Sequence, residues 1–299
     1  MTAPDSPYAP YRRTDGGIFR PPRAVAHRGD EFDPHSFEVL RNMQERHFWY
    51  RGRHRFLFRF LRRRAAPALL RGDAVDLGGG TGGWVRYLRT EAPDVVATVA
   101  LADSSERALA EAAPIVGAET PRFQVDLMDL QWSARWDVAF LLDVIEHIPD
   151  DQTVMRQVRD ALRPGGLAIV ATPALDAFWS YNDEIVYHVR RYSRARYRAP
   201  AEAPGLEPAP AFADVDYPET TRYYMFFLSP RMLLRRFSSV DPKTLTEEDR
   251  RALFRRTHAV PSRPVNALLG AIFSAETPLG HWIPFPWGTS IAGAFRRPG

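Results

Sequence analysis

The residues of this chain best suited to bind a nucleotide-like ligand stand in one short stretch, AVDLGGGTGGW, from residue 74 to residue 84. Glycine fills five of the six positions from 78 to 83, so most of this turn carries no side chain. A ligand can therefore approach the backbone closely and face the N–H groups at the start of a following helix. Asp76 precedes the turn and Asp103 follows it further along the chain.

Two classes of ligand use such a turn. Gly78, Gly80 and Gly83 match the dinucleotide spacing G-x-G-x-x-G, with Asp103 placed as the acid that binds ribose hydroxyls. The same string also fits D-x-G-x-G-x-G, because Asp76 stands two places before the first glycine. An acid at that position would repel a pyrophosphate and would suit a cationic ammonium group. The residues around the turn therefore favour a nucleoside that carries a cationic amino acid.

The elements that must position these residues alternate as strands and helices. The pattern predicts strands over 74–77, 95–102, 122–125, 137–142 and 167–171. Helices are predicted between them over 84–90, 106–116 and 152–162, and Pro164, Gly165 and Gly166 turn the chain into the fifth strand. This alternation indicates a parallel sheet with crossover helices.

The rest of the chain divides by composition. We expect a flexible arm over 1–34, a helical cap over 35–66, and a main domain over 67–299. Insertions are expected at about 174–192 and 223–285, the second with apolar helices over 223–236 and 264–273. The string GTSIAGAFRR predicts a final strand.

Further motifs follow the glycine turn in order: LADSSERALAEA, FQVDLMDL, WDVAFLLDVIEHIPD and LRPGGLAIVATP. Together they resemble the class I S-adenosylmethionine (SAM) methyltransferases from about residue 37 to the last strand. The resemblance extends to subgroups from natural-product and polysaccharide clusters and from the ubiquinone pathway. It implies an α/β fold: a Rossmann-like, seven-stranded, mostly parallel sheet with helices on both faces, an N-terminal helical cap and helical insertions after the fifth strand.

The resemblance also implies which residues hold the cofactor. Asp103 would bind both ribose hydroxyls, and Asp126 with Leu127 would hold the adenine. The expected cofactor residues are Asp76, Gly78, Gly80, Gly82, Asp103, Ser104, Asp126, Leu127, Asp143, Tyr50 and Arg51. Purely structural roles stay open: Asp76 as a cap of the turn, Asp103 as a helix cap with Glu106 as its partner, and Asp126 as a surface acid.

Methyl transfer requires alignment of donor and acceptor and, for a hydroxyl or a carbon acid, removal of a proton. The string W-x-x-x-D-x-x-x-x-H-x-R-R-Y, which starts at Trp179, is similar to one that lies over the active site of related methyltransferases. We expect His188 to be the general base, oriented by Asp183 or Glu184, with His147 as the second candidate. Alternatively, the arginines of this string pair with these acids only to hold the loop.

Asp143, Glu146 and His147 have a spacing similar to the E-x-x-E-H metal site of ubiquinone-pathway O-methyltransferases and of small-RNA 3′-end methyltransferases. A magnesium-like ion there would lower the pKa of a bound hydroxyl. Aspartate in place of the first glutamate has a shorter reach, which argues against the metal. We expect SAM as the cofactor, with S-adenosylhomocysteine (SAH) as its product, and the metal ligands stay unknown.

The string HFWYRGRHRFL, from His47, is similar to an N-terminal segment of the same subgroup. Trp49 and Tyr50 could cover the cationic donor, and Arg51 could meet a carboxylate or an anionic acceptor. The alternatives are that these aromatic residues pack into the core, or that this basic helix contacts a membrane surface.

Composition excludes several function classes. Cysteine is absent, so the chain has neither disulfides nor a thiolate zinc site. Lys243 is the single lysine among 40 lysine and arginine residues, and the arginines are spread along the chain, which argues against nucleic-acid binding. No apolar stretch is long enough for a transmembrane segment and no signal peptide is apparent, so we expect a cytoplasmic location.

Three functions remain after this reasoning. The first is a SAM-dependent methyltransferase for a small or carrier-linked acceptor, such as a sugar, a phenol or quinone, or a secondary metabolite. The second is the same fold used for cyclisation, elimination or a non-catalytic partner role. The third is a module bound to a membrane surface through 47–64 and the apolar C-terminal helices, which also leave room for a homodimer.

Overall fold

The computed structural model describes residues 8–25, 37–93, 96–197, 205–209, 220–238 and 240–299. Its strands are β1 Arg12–Arg13, β2 Ile18–Arg20, β3 Asp73–Leu77, β4 Thr98–Asp103, β5 Arg122–Gln124, β6 Trp136–Leu142, β7 Leu162–Pro173, β8 Glu207–Pro208, β9 Thr221–Tyr224 and β10 Ser290–Arg296. Its helices are α1 Phe37–Arg46, α2 Phe48–Arg64, α3 Pro67–Leu70, α4 Gly83–Glu91, α5 Glu106–Val116, α6 Asp151–Ala161, α7 Tyr181–Ile185, α8 Ser229–Leu234, α9 Glu247–Thr257 and α10 Arg263–Trp282.

All strands of the described residues join one sheet in the order β1-β2-β5-β4-β3-β6-β7-β10-β8, with β9 also paired to β10. Strands β5, β4, β3, β6 and β7 run parallel, and β10 is antiparallel to β7. The predicted Rossmann-like, mostly parallel sheet is therefore confirmed. The carboxyl ends of β3, β4 and β6 meet at one edge, where ligands bind in open α/β sheets.

Side chains on the two faces of the sheet build two apolar clusters. On one face, Val75 and Leu141 pack with Val154 of α6. On the other, Ala74 packs with Leu57 of α2 and Val85 of α4. Because a strand alternates its side chains between faces, the continuous apolar runs seen in the sequence bury both faces of the central strands under helices. This arrangement confirms the prediction of helices on both faces.

The sheet has ten strands in the described residues instead of the predicted seven. The sequence predicts a flexible arm over 1–34, but within it β1 and β2 form an antiparallel hairpin, and β2 pairs parallel with β5. The side chains of Tyr11, Ile18 and Phe19 are buried there. Residues 1–7 and 26–34 of the predicted arm lie outside the described residues. The third added strand is β8.

Other predicted elements differ at their ends. The predicted helix over 223–236 begins as strand β9, paired with β10, and becomes helical only at α8. A run of consecutive aromatic residues has no clear period, so the sequence could not separate the strand from the helix. Strand β4 begins at Thr98, while position 95 of its predicted range lies outside the described residues. The predicted turn at 164–166 is an irregularity inside β7.

Within the described ranges, none of the helices combines the length and the apolar character that crossing a bilayer requires. The last helix and the segment after it nevertheless expose large apolar side chains, including Leu268, Trp282 and Ile283, which are 62%, 55% and 57% exposed. This is the surface for which the sequence leaves a homodimer open.

Candidate functional site

A cavity of about 1010 Å³ lies at the carboxyl edge of the parallel strands. Its wall has two parts. The turn side contains Asp76, residues 78–80, Asp103, Ser104, Asp126 and Leu127. The insertion side contains His147, Glu184, His188, Arg231, Arg235, Arg256 and His258. Asp143, Tyr50 and Trp49 line the same cavity, so it brings together nine of the eleven predicted cofactor residues with three of the four predicted catalytic ones, His147, Glu184 and His188. The fourth, Asp183, is buried behind the wall.

Backbone conformation explains the glycines of the turn. Gly78 and Gly80 have φ of +71° and +56°, which other residues rarely adopt. At Gly79, an added Cβ would lie 2.4 Å from Oδ2 of Asp76. Gly82 is different: it does not line the cavity, and an added Cβ there would lie 2.3 Å from Val116 of α5. Its contribution is close packing of the turn against a helix.

Asp103 ties the turn to the end of β4. Its Oδ2 accepts a hydrogen bond from the Gly80 N–H at 2.9 Å, and its Oδ1 accepts one from the Ser105 N–H at 2.8 Å. The N-cap of α5 is Ser105, whose side chain accepts from the Ala108 N–H. The structural alternative of Asp103 as N-cap with Glu106 is therefore wrong.

Asp76 is almost fully buried, with 2% of its surface exposed. Burial raises its pKa to about 7, while Arg53 acts to lower it and Asp103 to raise it further. A buried carboxyl without a full counter-charge is stabilised by a cation, because the cation favours its ionised form. The turn side therefore has a site suited to an ammonium group.

Asp126 and Leu127 lie on the cavity wall in the turn that follows β5. Oδ1 of Asp126 accepts a hydrogen bond from the Met128 N–H at 2.8 Å, which fixes the carboxylate beside the cavity. Asp126 is therefore part of this turn and part of the cavity wall at the same time.

The arginine of the N-terminal helix that lines the cavity stands two residues after the predicted one. Arg51 is exposed and does not line the cavity, whereas Arg53 does, with 5% of its surface exposed. The Arg53 guanidinium forms an ion pair with Asp143 and lies 5.0 Å from the ring centroids of both Trp49 and Tyr50. Positions three apart share a helix face, so the spacing from Tyr50 could have indicated Arg53.

The aromatic rings of Trp49 and Tyr50 therefore face the cavity with a cation of the protein itself already between them and Asp143. Burial acts to lower the pKa of Arg53, but Asp143, Tyr50, Tyr224 and Asp76 raise it, and the net shift is upward. This guanidinium stays charged at the junction of the two sides of the cavity.

His188 and Asp183 form a hydrogen-bonded pair, with 2.9 Å between His188 Nδ1 and Asp183 Oδ1. Asp183 also accepts from Arg191 Nε at 2.7 Å and from the Ser180 N–H at 2.9 Å, as part of the capping box of α7. Burial acts to raise its pKa, but these hydrogen bonds and the charge of Arg191 lower it overall. Asp183 is thus held as a carboxylate that orients His188 and anchors the loop at once.

The other predicted acid, Glu184, lines the cavity without a hydrogen bond to His188 in the described part of the chain. The loop reaches this position because the Val189 N–H donates to the Glu146 carbonyl at 2.9 Å and the Tyr192 N–H donates to the Pro173 carbonyl at 3.1 Å. These bonds fasten the insertion to the ends of β6 and β7.

Glu146, His147 and His188 could hold a metal ion, because each offers a ligand atom within 4.8 Å of the others. Glu146 is fully buried, and among the described residues neither of its carboxylate oxygens nor Nδ1 of His147 has a hydrogen-bond partner, while His188 Nε2 lies 3.9 Å from Glu146 Oε1. Burial, and then Asp143, raise the pKa of Glu146 well above its usual range, while burial lowers that of His147 to about 3. These three residues differ from the predicted metal-binding set in one member. Asp143 forms an ion pair with Arg53, and His188 is the third possible ligand instead of Asp143.

Three residues of the cavity wall have left-handed backbone conformations without being glycine. Asp143, Tyr187 and Met225 have φ of 60°, 61° and 62°. Each such conformation costs on the order of 1 kcal/mol or more, and strain of this kind concentrates at functional sites. The sequence carries no signal for these conformations, because no glycine or asparagine marks them.

A family model described as a methyltransferase domain matches residues 48–213, which is more than half of the chain. No curated protein sequence matches the chain significantly.

Several solved structures share the fold. A Haloferax volcanii complex of the Trm112 methyltransferase activator with a protein described as a methyltransferase has a TM-score of 0.53 and 18% identity, covering 90% of this chain and 97% of that one. A Bacillus halodurans protein described as a methyltransferase has a TM-score of 0.50 and 17% identity, covering 81% and 99%. The [4+2]-cyclase SpnF has a TM-score of 0.51 and 16% identity, covering 84% and 83%.

The family match contains the glycine turn, both acids beside it and the loop that carries His188. With the sheet order and the cavity at its carboxyl edge, it places this chain among the class I SAM-dependent methyltransferases.

Proposed function

We propose that this methyltransferase moves a methyl group from SAM to a hydroxyl or an acidic carbon of a small or carrier-linked acceptor, with His188 as the general base. The observation that carries the proposal is the cavity that joins the glycine turn and its acids to His188, whose Nδ1 is hydrogen-bonded to the buried Asp183. Sugars, phenols, quinone-like rings and secondary metabolites offer acceptor groups of this kind.

The turn side fits SAM. The side-chain-free bend leaves room against the backbone, and Asp103, held by two N–H groups, presents its remaining acceptor capacity to ribose hydroxyls. Asp76 suits the ammonium group of the methionine part, and Arg53, in place of Arg51, suits its carboxylate. When bound, SAM supplies an electrophilic methyl group on a positively charged sulfur.

The insertion side manages the proton. With the proton of Nδ1 donated to Asp183, His188 is fixed in the tautomer whose Nε2, 3.9 Å from Glu146 Oε1, carries the lone pair that accepts a proton. With cofactor and acceptor bound, this Nε2 would take the proton of the acceptor group while the acceptor's electron pair bonds to the methyl carbon and the carbon–sulfur bond breaks, leaving its electron pair on the sulfur of SAH. Asp183 then stabilises the resulting imidazolium, because it stays ionised between Arg191 and the Ser180 N–H.

The test combines binding and transfer. Calorimetry should show SAM and SAH binding in the micromolar range, and NAD binding without any response to SAM would refute the cofactor assignment. Methyl-labelled SAM, incubated with the protein and fractionated cell extract, should yield a labelled small molecule. In His188→Ala, the transfer rate should fall by about 10²- to 10⁴-fold with an unchanged Kd for SAH. An unlabelled new product would instead support a cyclisation or elimination.

A second candidate adds a divalent metal held by Glu146, His147 and His188, favoured by the buried Glu146 carboxylate without a protein partner. One carboxylate and two imidazoles suit a first-row transition metal, which would lower the pKa of an acceptor hydroxyl. Chelation with EDTA followed by elemental analysis and a transfer assay separates the two mechanisms. Full activity of the metal-free protein supports the histidine base alone, and activity restored by Mn²⁺ or Zn²⁺ supports the metal.

A further inference from the structure

Five arginines line the cavity, and they fall into two groups. Arg53 and Arg191 are neutralised by Asp143 and Asp183. The other three are Arg231, Arg235 and Arg256, here called the three-arginine cluster. Across the described ranges, no member of the cluster forms an ion pair or a hydrogen bond with a carboxylate. Among the described residues, the insertion side therefore carries three arginines that no carboxylate pairs with directly, with Asp183 as a more distant opposite charge for Arg235.

The cluster comes from two helices that converge on the cavity. Arg231 lies on α8 and Arg235 follows four residues later in the continuing 3₁₀ turn, so the two share one helix face. Arg256 lies in the last turn of α9. Leu234 and Phe237, on α8 and its continuation, are 71% and 78% exposed and do not line the cavity. The arginines of this segment therefore face the cavity, while these apolar side chains face away from it.

The field of this cluster acts on its neighbours. Burial lowers the pKa of His47 to about 4, and Arg235 and Arg231 contribute. Burial also lowers the pKa of His258 to about 4, with Arg235, His47 and His188 contributing in the same direction. Both histidines are therefore neutral, as expected beside unbalanced positive charge. His188 and Arg235 both contribute to the lowered pKa of His258, so the proposed base and the cluster face the same part of the cavity.

Arg235 is partly buried, whereas Arg231 and Arg256 are exposed at the mouth of the cavity. Solvent screens the charge of Arg235 less than a charge on an open surface, so it attracts an anionic ligand, and the two exposed arginines add to the positive potential at the entrance. Guanidinium groups are suited to phosphate and carboxylate oxygens because their N–H groups match that geometry. The acids on the turn side are already assigned to the ribose and the ammonium group of SAM, and Arg53 is assigned to its carboxylate. The cofactor therefore has no further anionic group to bind on the insertion side of the cavity.

We propose that the methyl acceptor carries a phosphate, diphosphate or carboxylate group, which the three-arginine cluster binds while the reacting group lies at His188. This inference rests on the proposed function, because it assigns the insertion side to the acceptor. It narrows the acceptors considered above to the anionic ones, such as sugar phosphates, prenyl diphosphates and acidic sugars.

The experiment titrates inorganic pyrophosphate into the SAH-loaded full-length protein by calorimetry. The variants are Arg235→Gln and Arg256→Gln, and the matched control is Arg255→Gln, the exposed neighbour on α9 that does not line the cavity. We expect binding to the wild type and to the control, and a Kd for pyrophosphate raised by about ten- to a hundredfold in the two cluster variants. The Kd for SAH, measured in the same series, should be equal in all four proteins, which also verifies folding.

Two results would overturn the proposal: no pyrophosphate binding to the SAH-loaded wild type, or equal Kd values in Arg235→Gln and Arg255→Gln. A protein that fails to bind SAH would overturn the proposed function as well, so the two failures are distinguishable. A parallel arm uses vesicles of phosphatidylglycerol. Arg235-dependent sedimentation with these vesicles, without pyrophosphate binding, would place the anion on a lipid headgroup and overturn the small-molecule form.

Discussion

The two sides of the cavity are built in different ways. The turn side comes from one continuous part of the chain, residues 76–127, in which each ligand residue follows a parallel strand. The insertion side is assembled from the loop after β6, the segment around α7, and the helices α8 and α9. On the insertion side, Asp183 pairs with Arg191. On the turn side, Asp103 accepts hydrogen bonds from backbone N–H groups, and Asp76 has no arginine ion pair among the described residues. This contrast fits the proposed division of the cavity into a cofactor side and an acceptor side.

Among these tests of the two sides, Asp103→Ala on the turn side should cause the largest loss of cofactor affinity. Loss of this carboxylate removes the bonds from Gly80 and Ser105 as well as the ribose contact, so we expect SAH affinity to fall by about a hundredfold or more. Calorimetry measures the change. Ser104→Ala keeps both backbone bonds to Asp103 and should change the Kd much less. Equal Kd values in the two variants would refute a dominant role for Asp103.

A smaller effect is expected at the junction of the two sides. Arg53→Gln removes the guanidinium between Asp143 and the rings of Trp49 and Tyr50, and the affinity for SAM should fall by about tenfold. Arg51→Gln is the matched control on the same helix and should bind as the wild type does. If Arg51→Gln weakens binding and Arg53→Gln does not, the original sequence prediction is right. Thermal unfolding of both variants separates a loss of affinity from a loss of stability.

An effect about as large as that of Arg53→Gln is expected from pH, which should change the affinity for the cofactor. Because the pKa of Asp76 in the free protein is raised to about 7 by burial, most molecules carry it protonated at pH 6 and ionised at pH 8. The ammonium group of SAH needs the ionised form, so affinity should rise with pH, by about tenfold across this interval. Titrations at both pH values measure it. Asp76→Asn should bind more weakly at both and lose the dependence; an affinity that falls with rising pH would contradict the assignment.

The sequence predicted the turn side well because its signals are local. The glycine spacing, the acids after each strand and the alternation of strands and helices are properties of neighbouring residues, and backbone sterics convert them directly into structure. Errors on this side are small: Gly82 packs against Val116 instead of lining the cavity, and Arg53 stands where Arg51 was expected. The helical period alone places Arg53, three residues after Tyr50, on the same helix face as that ring.

The insertion side could not be predicted to the same extent. The sequence indicated His188 and Asp183 by resemblance, but the three-arginine cluster and the neutral histidines at 47 and 258 carry no shared motif. Aromatic runs such as that at β9 are compatible with both strand and helix. The left-handed conformations of Asp143, Tyr187 and Met225 have no mark in residue type.

By itself, the sequence determined the α/β sheet, the glycine turn with Asp76 and Asp103, and the membership of a SAM-dependent family, since each rests on short-range patterns. Only the tertiary structure decided that Asp143 pairs with Arg53 and that Asp183 is hydrogen-bonded to both His188 and Arg191. It also placed three arginines on one cavity wall with no paired carboxylate among the described residues. The physical reason is that charge pairing and burial depend on which segments, distant in sequence, come into contact. Those contacts are determined by the packing of the whole chain.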